Sequence, residues 1–275
     1  MTRLRSALFM PASNARAIAK ARTLPCDAVI LDLEDAVAPE AKDDARAQAV
    51  AALREGGFGD RAVVVRVNAA DTRWAEADLA ALRGVAGIVV LPKVDGPADL
   101  ARAREALGGD VALWAMIETC ASVLALPALA GAAAEFGVTA LVAGTNDLAK
   151  EMCCRPDPAR TPLLPVLTQV VVAARSAGIV ALDGVCNALD DPERLAAECR
   201  QGAMLGFDGK SLIHPGQVDA VNAAFAPSPE ALAWASRVVA VFADPANADR
   251  GAIRLDGAMV ERLHLIEAER ILASA

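Results

Sequence analysis

Short apolar runs rich in Val, Ile, Leu and Ala recur along the chain at Arg5–Met10, Ala28–Glu34, Ala62–Asn68, Gly87–Lys93, Ala112–Glu118, Ala140–Asp147, Ile179–Val185 and Met204–Gly209. Each is bounded by polar or turn-forming residues, which predicts strands. The segments between them carry helical spacing: Asn14–Leu24, Glu40–Arg54, Ala75–Arg83, Pro97–Leu107, Ser122–Phe136, Leu163–Ala177 and Asp191–Gln201. One strand and one helix thus recur about every 30 residues. Strands that are apolar on both faces, each followed by a helix, imply parallel pairing, and eight such units predict a closed (β/α)8 TIM barrel. An open doubly wound sheet would call for G-x-G-x-x-G after the first strand and for polar residues gathered at one switch point. Here that motif is absent, and polar residues close most of the runs. The barrel is expected over residues 1–217. Residues 218–275 read as a C-terminal extension: a helix near Pro229–Val241, a connection at Asp244–Arg250, then Gly251–Gly257 leading into a final helix. That extension is too short to bury much by itself, which predicts a helical lid packed on the barrel or on a neighbouring subunit.

Composition supports a folded enzyme-sized chain. Of 275 residues, 55% are hydrophobic and 23% charged, enough apolar surface to offset the entropy of ordering the chain. Mean hydropathy is +0.35, yet no stretch of about 18 residues is free of polar groups, so no membrane span is expected. The N-terminus begins like a strand without a signal-peptide core, which predicts a cytoplasmic protein. A net charge of −8 excludes a general nucleic-acid or anionic-membrane surface, because such binders need a summed positive field. Six cysteines without C-x-x-C and two histidines read as reduced thiols and no Cys/His metal site.

Candidate chemistry collects at the ends of the runs, where a parallel barrel builds its site. Strand two ends Leu31-Asp32-Leu33-Glu34-Asp35, with Asp32 and Glu34 on one face by the two-residue period. Arg66 closes strand three and needs an anionic partner inside the barrel mouth, either Glu34 or a substrate carboxylate gripped bidentately. Glu118 and Asp147 close strands five and six. Adjacent strands lie about 5 Å apart, so the two carboxylates can converge on a hard cation, and the all-oxygen donor set favours Mg²⁺ with several waters retained. Lys93 reads as a salt-bridge partner or an imine former, Trp114 as core, Asp183 as a residue facing the barrel mouth or the fold, His214 as an organiser of the turn after strand eight, and His264 as peripheral.

Leu8-Phe9-Met10-Pro11-Ala12, Leu31-Asp32-Leu33-Glu34-Asp35-Ala36-Val37 with Lys42 and Arg46 after it, Arg66-Val67-Asn68, Leu91-Pro92-Lys93, Ile117-Glu118-Thr119 and Leu255-Asp256-Gly257 with Met259-Val260 resemble the citrate lyase β-subunit-like proteins of the HpcH/HpaI aldolase superfamily. The resemblance spans nearly the whole chain, and it implies a TIM barrel, commonly trimeric, acting on acyl-CoA thioesters with Mg²⁺. It implies that Glu118 and Asp147 hold the metal, that Glu34 and Asp35 bind its waters, and that Arg66 grips a small oxo acid. It further implies that Asp256 is an acid supplied by a C-terminal lid across a subunit interface of a homotrimer or hexamer, and that Arg5, Lys42 and Arg46 meet CoA phosphates. The segment before Asp147 departs from the family pattern in lacking Phe-Gly. The implied reaction is carbon–carbon cleavage of a 3-hydroxy-dicarboxyl-CoA such as citryl-, malyl- or citramalyl-CoA into acetyl-CoA and an oxo acid. Three other readings stay open: a thioesterase on the same scaffold, a CoA-independent pyruvate aldolase, and a non-catalytic subunit of a citrate lyase complex.

Overall fold

Eight strands take up the apolar runs: β1 (Ser6–Pro11), β2 (Ala28–Asp32), β3 (Ala62–Arg66), β4 (Ile88–Leu91), β5 (Ala112–Ile117), β6 (Val138–Ala143), β7 (Val180–Asp183) and β8 (Gly209–Leu212). They pair in parallel in sequence order and close into a barrel, as expected of a (β/α)8 fold. The structure, a computed structural model, describes residues 3–247 and 249–273. Helices α1 (Ala15–Ala21), α2 (Lys42–Glu55), α3 (Ala75–Leu82), α4 (Pro97–Leu107), α5 (Cys120–Phe136), α6 (Thr145–Glu151), α7 (Leu164–Ala177), α8 (Pro192–Leu205) and α9 (Val218–Ala224) alternate with the strands or follow the last.

Why the barrel closes is visible in its interior. Trp114 on β5 is buried and stands in register with Val90 on one side and Ala140 on the other. The small side chains of Ala7, Ala28 and Ala140 make room for the one large ring among Ile30, Val64, Val142 and Leu182, the alternation of volumes that fills a barrel without voids. At the seam, Ser6 pairs with Lys210, and the Lys210 N–H donates to the Arg5 carbonyl at 2.9 Å. Any side chain at Gly209 would run into the carbonyls of Leu4 and Arg5, so the seam requires glycine there.

Two strands differ from expectation by more than two residues at a boundary. The eighth strand is Gly209–Leu212, not Met204–Gly209, because Met204 and Leu205 continue α8. Hydrophobicity pointed to the wrong run: the true strand carries Lys210 and Ser211, both buried, and an ion-paired lysine is invisible to an apolar pattern. The sixth strand stops at Ala143, which places Asp147 in the first turn of α6 rather than on a strand end.

By its internal contacts the chain divides into two compact units, Leu4–Ala224 and the residues from Phe225 onward with Arg3. The second unit holds α10 (Pro229–Ala243), a hairpin of β9 (Ala252–Leu255) and β10 (Ala258–Glu261), and α11 (Arg262–Ala273). Ala235, Val238, Phe242, Ile253, Val260 and Ala268 form its own core. The hairpin replaces the expected plain connection. Its turn is Asp256-Gly257, with φ of 51° and 85° at the two positions, the left-handed pair that a two-residue Asp-Gly turn adopts. Among the described residues no helix is long and apolar enough to cross a membrane.

Candidate active site

Parallel strands deliver their last residues to one rim, and β2 and β3 end there in direct register, Asp32 beside Arg66. Arg66 Nε and Nη2 donate to the two oxygens of Asp32, each at 2.7 Å. Asp32 also accepts from the backbone N–H groups of Glu34 (2.9 Å) and Ala36 (3.1 Å), so it is the hub of the loop after β2. The bidentate grip expected of Arg66 is therefore taken by Asp32, a residue for which the sequence reading names no role. Only Nη1 is turned elsewhere, 2.9 Å from Glu34 Oε2 and 3.4 Å from Asp35 Oδ2, while the guanidinium lies 4.8 Å from the centre of the Phe9 ring. Three acids around one buried cation keep Arg66 firmly ionised.

Glu118, just past β5, is buried, and its Oε1 accepts the Lys93 N–H at 2.8 Å. That bond depends on Lys93 adopting φ 48°, a left-handed conformation that a non-glycine residue holds only when its surroundings demand it. The Lys93 ammonium is half-exposed and 3.9 Å from Glu34 Oε1. Gly144 completes the setting, since any side chain there would strike the Glu118 carboxylate. Burial pushes Glu118 up to about 7 and Asp147 pushes in the same direction, against the Lys93 N–H and Arg66. Burial likewise pushes Glu34 up to about 8, against Arg66 and with Asp35 and Glu118. Glu34 Oε2 is buried without a hydrogen bond, although it is in ion-pair range of Arg66.

Asp32, Asp35, Arg66, Glu118, Gly144 and Asp147 border a cavity of about 450 Å³, together with Phe9, Met116, Asn146 and Ser211 among others, while Glu34 and Lys93 are not in its lining. Among the described residues no group of three His, Cys, Asp or Glu side chains is arranged to hold a metal. Glu118 and Asp147 line the same cavity, and their all-oxygen donor set, one carboxylate buried, fits a hard cation that keeps most of its water, as Mg²⁺ does.

Other expected site residues lie elsewhere or are tied down. Arg5 precedes β1, at the opposite rim, and binds Asp27 through its backbone N–H (2.8 Å), Nε (2.9 Å) and Nη2 (2.8 Å); it is not among the residues lining the cavity. Lys42 is buried with Nζ donating to the carbonyls of Leu33 and Glu34, both at 2.7 Å, against the expectation that it meets a CoA phosphate. Arg46 pairs with Asp43 and with Asp78, and Asp78 in turn accepts from Asn68. Asp183 is fully buried, bound by Arg160 Nη1 (2.8 Å) and Lys210 Nζ (3.0 Å). His214 Nδ1 accepts the Gly216 N–H at 3.1 Å, and His264 Nδ1 the Glu261 N–H at 2.9 Å. Asp256, in the C-terminal unit, is exposed and 2.9 Å from Arg237 Nε.

A parallel eight-stranded barrel with acids and an arginine at the C-terminal rim has the architecture in which TIM barrels build their sites at that face. The HpcH/HpaI aldolase/citrate lyase family matches residues 5–215, and the chain belongs to that family. It is 44% identical to (3S)-malyl-CoA thioesterase of Cereibacter sphaeroides over 98% of this chain and 94% of that one. It is 35% identical to citrate lyase subunit beta of Escherichia coli over 98% and 93%. The crystal structure of protein CitE from Mycobacterium tuberculosis in complex with magnesium, acetoacetate and coenzyme A superposes with a TM-score of 0.80 at 32% identity, covering 98% of this chain and 97% of that one.

Proposed function

We propose that the chain cleaves a short 3-hydroxy-dicarboxyl-CoA thioester between C2 and C3, releasing acetyl-CoA and an oxo acid, with Mg²⁺ as cofactor. The observation that carries the reading is the pair Glu118 and Asp147 on one cavity with Arg66. In this reading Glu118 and Asp147 hold the cation, with Glu34 and Asp35 toward its waters. Bound there, Mg²⁺ supplies Lewis-acid polarisation of the hydroxyl and carboxylate oxygens of the substrate. Arg66 adds positive charge through Nη1 where the oxo acid forms. The hydroxyl proton passes to a water held by Asp35, the C2–C3 bond breaks with its electron pair going to C2 of the thioester enolate, and the oxygen left behind becomes the carbonyl of the oxo acid. Asp256 of a neighbouring copy delivers the proton that turns this enolate into acetyl-CoA, in a trimer or hexamer whose C-terminal unit covers the site.

Hydrolysis of the same thioester is the second reading, favoured by the 44% identity to a malyl-CoA thioesterase. Incubating the protein and Mg²⁺ with malyl-, citramalyl- and citryl-CoA separates the two. Cleavage yields acetyl-CoA and an oxo acid with no free thiol, whereas hydrolysis yields free CoA thiol and the hydroxy acid.

Arg66→Lys should lower kcat/KM at least a hundredfold, about 2.7 kcal/mol, because an ammonium cannot satisfy both oxygens of Asp32 and still reach the ligand. A fall of less than about tenfold in steady-state assays would leave Arg66 with a packing role alone. For Asp256, mixing inactive Asp256→Asn protein with inactive Glu118→Ala protein under conditions that exchange subunits should restore activity, since mixed sites regain both groups. A mixture that stays inactive after exchange is demonstrated by mass spectrometry removes Asp256 from the shared site.

A further inference from the structure

A second cavity, of about 520 Å³, is bounded by α6, residues 156–163 and the start of α8. Arg160 forms part of its wall, and this residue is only 4% exposed. Its Nε donates to Gln201 Oε1 at 2.7 Å and its Nη1 to both oxygens of Asp183 at 2.8 and 2.9 Å. That leaves Nη2 buried and, among the described residues, without a hydrogen-bond partner. Arg160 holds φ 56°, uncommon for a side chain of its size, and Gln201 Nε2 donates back to the Ala159 carbonyl at 2.6 Å, so the guanidinium is fixed at the cavity wall. Arg194 lines the same space with its Nε on Glu198 Oε1 at 2.8 Å, and Lys210 Nζ contacts Asp183 and Glu198 at 3.0 and 3.3 Å. In this cluster three cations face two carboxylates, which leaves one positive charge over. The acids nearest by, Asp157 and Asp191, are exposed and spend oxygens on the backbone N–H groups of Thr161 and Arg194. A buried guanidinium N–H without a partner is costly, and in a cluster of surplus positive charge it selects an anionic acceptor.

We propose that this cavity is a binding site for one free monovalent inorganic anion of the halide type, held by Arg160 Nη2 and attracted by Arg194, and that the ion is no part of the substrate. Charge sets the valence: one surplus positive charge is balanced by one negative charge, and Glu198, which also lines the cavity, repels a dianion such as phosphate or sulfate. Geometry sets the shape. With Nε and Nη1 of Arg160 already engaged, one nitrogen remains, so the two-nitrogen fork that a carboxylate or phosphate takes is not on offer. A spherical ion needs no fork, and Pro156, Leu163 and Val185 supply apolar walls suited to an ion that gives up its water easily. The Asn146 and Asn187 amides on the border are joined to each other by reciprocal bonds of 3.3 and 2.7 Å and do not compete for Arg160. Held there, the ion steadies residues 156–163 against α8 and the wall of Thr145, Asn146 and Val185 that this cavity shares with the catalytic one. The site is independent of which reaction the thioester undergoes.

Chloride is the probe, and the excess linewidth of its ³⁵Cl resonance on adding the full-length protein, at saturating magnesium sulfate and without substrate, reads the binding. The wild type should broaden the resonance saturably, and bromide should displace the effect. Arg160→Gln should weaken the apparent chloride affinity by about tenfold or more, the loss expected for one hydrogen bond to a charged group. Because Arg160 also supports Asp183, Ala188→Phe serves as a second variant, filling the cavity from a residue outside the ion cluster, and it should remove the broadening as well. Crystals grown in sodium bromide then locate the ion by anomalous scattering, with a peak expected against Arg160 Nη2. A wild type that does not broaden the line, broadening that persists in both variants, or bromide bound elsewhere but not at Arg160 overturns the site.

Discussion

Glu118→Gln is expected to reduce turnover by roughly a thousandfold, about 4 kcal/mol of transition-state stabilisation, while the protein remains folded. Glutamine keeps the oxygen that accepts the Lys93 N–H, so the segment after β5 holds its course. What disappears is a negative charge at a buried position, crowded by Asp147 and only partly offset by Arg66 and Lys93. The metal-free variant should therefore melt no lower than wild type, because losing a desolvated charge removes an unfavourable contribution. Calorimetric titration with Mg²⁺ is expected to show binding weakened beyond measurement. Unchanged affinity would remove Glu118 from the metal site, and a lowered Tm would make it a structural acid.

The second large effect concerns stability. Asp183→Ala should cost about 3–5 kcal/mol, since it leaves Lys210, which has no solvent exposure, with Glu198 alone and removes the carboxylate whose two oxygens accept from Arg160 Nη1. Urea denaturation should register that loss directly, with a fall in Tm on the order of 10 °C. The pH dependence has a defined sign. Lys210 and Arg160 hold the Asp183 carboxyl below its ordinary value of 3.8, against the opposing effect of burial. A folded-state pKa below the unfolded one gives stability that is present above pH 4 or so and fades as pH falls toward the folded value. Asp183→Ala should therefore flatten the acid limb of the stability curve. A loss under 1 kcal/mol, or an acid limb unchanged from wild type, would show that the cluster carries little of the fold's stability.

The barrel was legible because seven of its strands are predominantly apolar on both faces, and such runs announce themselves in any apolar pattern. β8 escaped for a physical reason. Its lysine enters the interior on the strength of Asp183 and Glu198, partners that no local pattern reveals. The acids of the rim were legible as clusters at strand ends, but their pairing was not. Nothing in Leu31-Asp32-Leu33-Glu34-Asp35 tells which acid takes the fork of Arg66; the parallel register of β2 and β3 decides it, by bringing Asp32 opposite. Likewise Lys93 looked like a charge, while its contribution to Glu118 comes from its backbone. Asp256-Gly257 was the reverse case, because the dipeptide is a strong hairpin signal, and the flanking Ala252–Leu255 and Ala258–Glu261 were short enough to be absorbed into a connection.

The β1–β8 seam also governs when the protein can exist during its own synthesis. Ser6 finds its partner Lys210 roughly two hundred residues later, so the first strand waits on the ribosome for on the order of 10–40 s at ordinary elongation rates. Throughout that interval one edge of β1 has no neighbour, and an unpaired apolar edge is a template for the wrong strand. Slowing translation upstream of Gly209 would lengthen this exposure, and a nascent chain stalled before Leu212 would be a client for whatever holds open sheets apart.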